Sequence, residues 1–388
     1  MLKKHWPEEI ELLRKTVRDL AARRVAPLVE GIETSGSFSP ALMDVLKDAG
    51  LTGMIVPASH GGVDADLRGF VVVMEELSQV FPTASTMLTP HWFATKQIVK
   101  WTSADTAPWA APLLAEVAEG NGIGAIALTE PEAGSDLAAV STAAVRTGDN
   151  YVINGGKRFI TNGGQADYYT LLARTGAPGA RGLSLIYVEA DRAGLSIGRI
   201  EKKMGLRGSA TAEVLFDDVT VPVDHLIGTE NRGFAQAMDG IEEGRVVVAA
   251  MSLGIAQGAL SHAVEYAKNR KQFGKPIGAF QGLQFMLADM AIKVDASRSL
   301  VYDAAEAVMA RTPDAARLAS AAKTYASDAA MEVTTDAVQV LGGYGYVSDF
   351  PVEMLMRDAK INQIYEGTNQ IQRMLIARGL LGADVTNA

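Results

Sequence analysis

Near its C-terminal end the chain carries QIYEGTNQIQR, residues 363–373, in which one acid, Glu366, stands directly before a glycine at the mouth of a helical run. A carboxylate so placed is either a solvated loop residue or, if enclosed, a base for a weakly acidic proton. The stretch by itself favours the loop residue. Other candidates lie upstream. ALTEPEAGSD (127–136) runs an apolar strand-like segment into an acid, a proline and Gly134-Ser135-Asp136, a loop whose NH groups and hydroxyls could cradle a polar ring or a phosphate. GGKRFITNGG (155–164) sets the aromatic face of Phe159 and Ile160 beside the hydroxyl of Thr161. RKQFG (270–274), followed by Gln281, forms a third element, and QVLGGYGY (339–346) has paired glycines that allow close backbone approach to a ligand. Taken singly, each also has a plain structural account: a Gly-rich turn, a solvated basic helix end, a helix C-cap.

Several familiar chemistries are absent. The histidines (His5, His60, His91, His225, His262) show no metal-ligand spacing, and neither HExxH nor GxSxG occurs, which argues against metal and serine hydrolysis. With no cysteine, the chain has no disulfide, thiolate zinc site, iron–sulfur cluster or thiol nucleophile. GNGIGA (120–125) fits a GxGxxA dinucleotide fingerprint, but a helix-like run precedes it and a strand follows. That is the reverse of what the fingerprint needs, so it reads as a turn from helix into strand.

The elements that must position these residues change character along the chain. From Pro7 to about Val80 the apolar residues Ile10, Leu13, Val17 and Leu20 recur at helical spacing, and a further helical stretch is expected from Thr83 to about Glu119. From about Gly122 to Gly228 short β-rich runs alternate with Gly, Asp and Asn turns, and Asn154-Gly155-Gly156 reads as a hairpin turn. Helical period then returns: Leu287, Met290, Ala291 and Val294 share one face, and the density of alanine predicts long, closely packed helices. The expected organisation is an N-terminal helical domain (1–121), a middle antiparallel β domain (122–230) and a C-terminal four-helix bundle (231–388), an α+β fold.

Composition bounds the function further. The 388 residues are 48% hydrophobic, and 36 basic against 45 acidic residues leave a net charge of −9, a field that repels nucleic acid and anionic membrane. The start, MLKKHWPEEIELLRK, lacks the apolar core of a signal peptide, and the apolar stretch around Val246 to Ala256 falls short of the ~20 residues that span a bilayer. A cytoplasmic location is therefore expected, or the mitochondrial matrix for a processed eukaryotic protein.

In order and over essentially the whole chain, ALTEPEAGSD, GGKRFITNGG, KMGLRGSAT (203–211), RKQFGKPI (270–277), QVLGGYGY and MRDAKINQIYEGTNQIQR (356–373) resemble the acyl-CoA dehydrogenase family. The resemblance implies FAD as cofactor, a homotetramer built as a dimer of dimers, and an electron-transfer flavoprotein as acceptor. It implies flavin contacts from Leu128, Thr129, Gly134, Ser135, Phe159, Ile160 and Thr161, with Thr368 and Gln370 turning towards the nucleotide. Arg270, Phe273, Gln281, Gln339, Gly342 and Gly343 would hold the adenine and pyrophosphate end across a subunit interface, where an Arg fork and free NH groups suit a pyrophosphate. Glu366 would be the base that removes the α-proton of an acyl thioester, and its NH would help bind the thioester oxygen. Gly367 would give the substrate room, Ser135 would touch it, and Arg245 with Glu242 would orient the base, the plain alternative for that pair being a solvated ion pair. The isovaleryl-type branch places its base immediately before the arginine; Gly244 stands there in this chain, so the YEG arrangement of short- and medium-chain members is expected.

The implied reaction is α,β-dehydrogenation of a short- to medium-chain acyl-CoA, branched acyl groups included. The unusual Pro90-His91-Trp92 in the expected pocket floor (83–94) could shorten the acyl site or shape it for a branched or cyclic group, the plain alternative being helix packing. Between Glu76 and Lys96 there is no Lys or Arg to hold a distal carboxylate, which disfavours a dicarboxylic substrate. The alternatives are a flavoprotein oxidase of the same fold and a dehydrogenase of carrier-protein-bound acyl groups; a non-enzymatic binding protein or a nucleic-acid-associated relative would lack the base or carry a basic face.

Overall fold

The computed structural model describes residues 6–382 and residue 385; Lys3, Lys4 and His5 of the opening segment lie outside them. The first part is helical: α1 (Glu8–Leu20), α2 (Val29–Ser35), α3 (Pro40–Asp48), α4 (Leu67–Ser78), α5 (Pro82–Trp101) and α6 (Ala110–Ala118). Ser39 and Asp66 cap α3 and α4 by accepting backbone NH groups at their N-termini, the residue types that position favours. The helical run expected from residue 83 to 119 is two helices, because at Thr102 the chain turns extended and the segment to Trp109 is irregular. Helix α4 is buried nearly all round, its carboxylates included: Arg14 reaches Glu75 and Glu76 at 2.9 Å, and Arg298 and Tyr302 complete the partners of Glu75.

The middle part is a sheet of β1 (Gly124–Ala127), β2 (Ala143–Thr147), β3 (Asn150–Thr161), β4 (Tyr168–Arg174), β5 (Leu183–Glu189), β6 (Leu195–Ile200), β7 (Thr211–Pro222) and β8 (Leu226–Ile227). Its order is β6-β7-β3-β2-β4-β5-β8, with β1 beside β4. Pairing is antiparallel except that β1 and β2 run parallel to β4. The expected hairpin at Asn154-Gly155-Gly156 is not there: these residues lie inside β3, at a bulge against β7. Gly155 sits at φ 143, and a Cβ on it would come within 2.7 Å of the Thr142 hydroxyl oxygen, so glycine is needed for the bulge. The actual turn falls at Gly148 and Asp149, between β2 and β3.

Helices α7 (Gly233–Met238) and α8 (Ile241–Asn269) open the last part. A small hairpin of β9 (Lys271–Gln272) and β10 (Lys275–Pro276) follows, then α9 (Gln281–Met309), α10 (Ala315–Leu341), α11 (Val352–Ala359) and α12 (Asn369–Leu381). Helices α8, α9, α10 and α12 make the bundle, and α4 lies against α8. That contact is close because Gly254 and Gly258 leave no side chain in it: a Cβ at either would stand 2.4 and 2.3 Å from the carbonyl oxygens of Glu75 and Gln79. The stretch Gly233–Asn269 is long and apolar enough to cross a bilayer, but 78% of its apolar window is buried within the molecule, as in a core helix.

Candidate active site

Glu366 and Gly367 are consecutive left-handed residues, at φ 53 and φ 85, between α11 and α12. A left-handed glutamate is uncommon and is retained only where its surroundings hold it. Here Thr368 caps α12, its hydroxyl accepting the Ile371 NH at 3.3 Å. The Gln372 amide, one helical turn on, donates to both the Glu366 and Gly367 carbonyls at 3.1 Å. A Cβ on Gly367 would meet that amide nitrogen at 2.5 Å, so the glycine is required by its φ of 85 and by the Gln372 side chain, not only by room for a ligand.

The carboxylate end of this turn is flanked by two buried cations. Arg245 of α8 is 8% exposed, its Nε has no hydrogen-bond partner among the described residues, and its Nη1 reaches the Ser320 hydroxyl only at 3.5 Å. It is thus not half of a solvated ion pair with Glu242, which stands one turn earlier in α8. Lys323 of α10 is fully buried, and no motif in the sequence singles it out; its Nζ donates to the Gly367 carbonyl and to Asn369 Oδ1, both at 2.8 Å. Burial pushes the Glu366 carboxyl above the usual carboxylate range, against the pull of Arg245 and then Lys323. Burial also lowers Arg245, with Glu242 and Glu366 opposing, and brings Lys323 down to about 8.

Glu366 and Gly367 line a cavity of about 160 Å³ together with Leu128, Thr129, Gly134 and Leu137 on the sheet side and Phe93, Lys96, Gln97, Met238 and Ile241 on the helical side. The sheet-side loop is tied down by a buried pair. Lys157 donates to Glu130 Oε1 at 2.7 Å and to the Leu128 carbonyl at 2.9 Å, while the Thr142 NH donates to the same Oε1 and the Ser141 NH and hydroxyl donate to Oε2. Burial raises the Glu130 pKa, but Lys157 and these bonds outweigh it and hold it at about 2. The Arg158 NH donates to the Thr129 carbonyl at 2.9 Å, so ALTEPEAGSD and GGKRFITNGG form one surface.

On that surface Phe159 is held at φ 58 beside a second register shift of β3, 57% exposed, with the Arg158 guanidinium 5.1 Å from its ring centre. Ile160 is buried beneath it, Thr161 is half-buried and Ser135 is exposed in the Gly134 loop. A large ring turned outward, with open space on the Cβ side of Gly134, fits a flat aromatic ligand lying across the loops.

The remaining predicted cofactor residues lie elsewhere. Arg270, Phe273, Gln339, Gly342 and Gly343 line a cavity of about 580 Å³ at the far end of α8 and α10, and Gln281 opens α9 just outside it. Gly342 and Gly343 have nothing within 4 Å of a built Cβ, and Phe273, at the tip of the β9–β10 hairpin, is 91% exposed. This cavity shares no lining residue with the one beside Glu366. Gln370 is exposed in the first turn of α12.

Of the expected pocket floor (83–94), Phe93 lines the cavity and Pro90-His91-Trp92 pack elsewhere. Pro90, His91 and Trp92 turn away from the cavity: His91 bridges the Thr52 carbonyl and the Gly124 NH, and the Trp92 indole NH donates to the Leu51 carbonyl. From α5 it is the adjacent Phe93, then Lys96 and Gln97 one turn on, that face the cavity. Lys96 is paired with Glu243, and the Phe93 ring fills the space a side chain at position 244 would take.

Three family models match the chain: the acyl-CoA dehydrogenase N-terminal domain over residues 7–145, the middle domain over 125–219 and the C-terminal domain over 231–381. An acyl-CoA dehydrogenase of Bacillus subtilis is 44% identical over 381 residues, covering 97% of this chain and 99% of that one. Among solved structures, the butyryl-CoA dehydrogenase of Megasphaera elsdenii superposes with a TM-score of 0.93 at 39% identity, over 98% of this chain and all of the other. A chain from a structure reported for the electron transferring flavoprotein of Acidaminococcus fermentans superposes at 0.94 with 42% identity, over the same shares.

Proposed function

The chain belongs to the acyl-CoA dehydrogenase family, and from that premise we propose that it dehydrogenates a short- to medium-chain acyl-CoA to the trans-2-enoyl-CoA with Glu366 as the base. The observation that carries this reading is the Glu366 carboxyl on the wall of the same cavity as Leu128, Thr129 and Gly134, its charge opposed by buried Arg245. Removing the α-proton requires a carboxylate less acidic than one in water, and burial supplies that. The Glu366 backbone NH is the donor for the thioester oxygen, where enolate charge develops. The α-proton passes to Glu366 as the β-hydrogen leaves with its electron pair, and the double bond forms between the two carbons. FAD, when bound, is the acceptor of that hydride. The exposed Phe159 face with Ile160 and Thr161, the Gly134-Ser135 loop, and Thr368 with Gln370 would hold its flavin end. Arg270, Phe273, Gln281, Gln339, Gly342 and Gly343 would hold the adenine end from another subunit of a tetramer. The electrons would leave to an electron-transfer flavoprotein, a partner suggested by the Acidaminococcus structure.

The Megasphaera relative supports the short end of the range. Anaerobic titration with butyryl-, isobutyryl- and octanoyl-CoA tests the reading. The yellow flavin should bleach most readily with the four-carbon thioesters and not at all in Glu366→Gln, with kcat lower by roughly 10⁴-fold or more, because among the described residues lining the cavity Glu366 is the one carboxylate. Bleaching that persists in Glu366→Gln sinks the assignment. Rapid reoxidation by oxygen would favour the oxidase.

A further inference from the structure

We propose that Lys323 is a positioning residue for this reaction, its buried ammonium pinning the Gly367 carbonyl so that the turn carrying Glu366 cannot relax. The inference rests on Glu366 being the base. It starts from a mismatch between chemistry and location. A lysine in the middle of an alanine-rich helix ordinarily snorkels to water, whereas this one is fully buried and spends two of its three donors on the Gly367 carbonyl and Asn369 Oδ1. The Asn369 amide is in turn fixed by donating to Ser327 Oγ and Asp328 Oδ1 at 2.8 Å, so the lysine has one place to stand.

Opposite it, the Gln372 amide grips the Glu366 and Gly367 carbonyls. Two consecutive left-handed residues are thus held from α10 and α12 at once. The left-handed Glu366 is strained and stays so only while the turn is held on both sides, and release of the turn would swing the carboxylate away from a substrate α-carbon. A neutral side chain could hold the carbonyl; the charge does something more. The groups facing Glu366 are Arg245 from α8, Lys323 from α10 and the neighbouring Tyr365. Those facing Lys323 are Glu366, Arg245 and Asp328, the last already paired with Arg373 at 2.7 Å. Lys323 therefore stands as the second cation that keeps the enclosed carboxyl ionisable, and burial, Arg245 and Lys323 together set where it titrates.

Lys323→Met tests this with readouts that need no turnover. The carboxyl infrared band that the parent shows and Glu366→Gln lacks, followed against pH, gives the Glu366 midpoint directly, and amide hydrogen exchange over residues 364–369 reports the turn. In Lys323→Met, purified with its flavin, the midpoint should move to higher pH, because a cation favouring the ionised form is gone. Exchange over the turn should quicken, and kcat should fall roughly 10–100-fold with KM changed far less. A role confined to folding would lower stability and leave the midpoint where it was. Unchanged midpoint and unchanged exchange overturn the proposal. Should Lys323→Met not fold, Lys323→Gln keeps a donor without the charge: a raised midpoint supports the proposal and a parental one refutes it. If the parent bleaches with no acyl thioester, the dehydrogenase reading fails while the midpoint and the exchange still judge Lys323.

Discussion

At the scale of the residue, the site is governed by what surrounds one carboxyl and one glycine. Gly367 is fixed twice over: its φ of 85 excludes an ordinary side chain, and the Gln372 amide nitrogen occupies the place a Cβ would take. Gln372 is fully buried and bonded to two carbonyls, so it cannot swing aside without leaving both unpaired. Gly367→Ala should therefore cost about 1–3 kcal/mol of stability and most of the activity together, read by chemical denaturation and by kcat on the flavin-loaded protein. An alanine variant of parental stability and rate would show that the turn is soft. The same geometry bears on pH. The base form of Glu366 appears only as pH rises through a value above the ordinary carboxylate range, so kcat should fall on the acid side at a higher pH than a solvated glutamate would give.

At the scale of the element, α5 does two jobs with neighbouring turns. Phe93, Lys96 and Gln97 face the cavity, while His91 joins the first helical part to the sheet through Thr52 and Gly124. Burial pushes the His91 pKa down to about 4 from an ordinary 6.5, so the folded chain keeps it neutral where the unfolded chain takes a proton. Stability linked to His91 is then complete above about pH 6.5 and lost as pH falls towards 4, on the order of 3 kcal/mol over that window. Denaturation midpoints against pH should show this acid loss in the parent and a flatter profile in His91→Gln, whose neutral amide has no proton to gain. Equal slopes would remove His91 as the cause. Sequence periodicity could not have placed this residue. It marks α5 as a helix, but a helix buried on nearly every side has no polar face to give its orientation, so periodicity does not separate the packing residues Pro90-His91-Trp92 from the cavity-facing Phe93 beside them. The Gly155 bulge was misread for a related reason: Asn-Gly-Gly between β-rich runs signals a hairpin, and only the pairing of β3 with β7 shows the strand continuing. Glu366 and Gly367 stand out in the sequence only through the family resemblance, since the stretch by itself reads as a loop and its left-handed turn is held by side chains from α10 and α12. Lys323, Lys157 and Gln372 were not legible, since a lysine or glutamine in a helix reads as surface until the packing of α10, α12 and the sheet loops encloses it.

At the scale of the whole molecule, the residues expected to hold the cofactor fall into two sets lining separate cavities. One set, around Gly134 and Phe159, lies on the loop surface beside Glu366; the other, around Arg270 and Gly342, lies at the opposite end of the bundle helices. On the function proposed above, a single extended cofactor would be held by two copies of the chain, each offering its Phe159 surface to one cofactor and its Arg270 end to the other. The β9–β10 hairpin suits that arrangement. Phe273 projects at φ 50 beside Gly274 at φ 78, almost fully exposed, with Arg270 behind it stacked 5.4 Å from the Tyr344 ring centre. Exposed aromatic rings on a short rigid turn are costly to leave in water and apt to seat in a second surface. If Arg270 binds a pyrophosphate presented by a neighbouring copy, Arg270→Ala should weaken flavin retention roughly ten- to a hundredfold, the worth of a hydrogen-bonded charge, and leave the Glu366 cavity intact. Flavin content, from the ratio of visible to ultraviolet absorbance, should then fall on dilution in step with the assembly mass from sedimentation. A monomer that keeps its flavin at all dilutions, in parent and variant alike, would confine the cofactor to one chain and leave the exposed hairpin without that role.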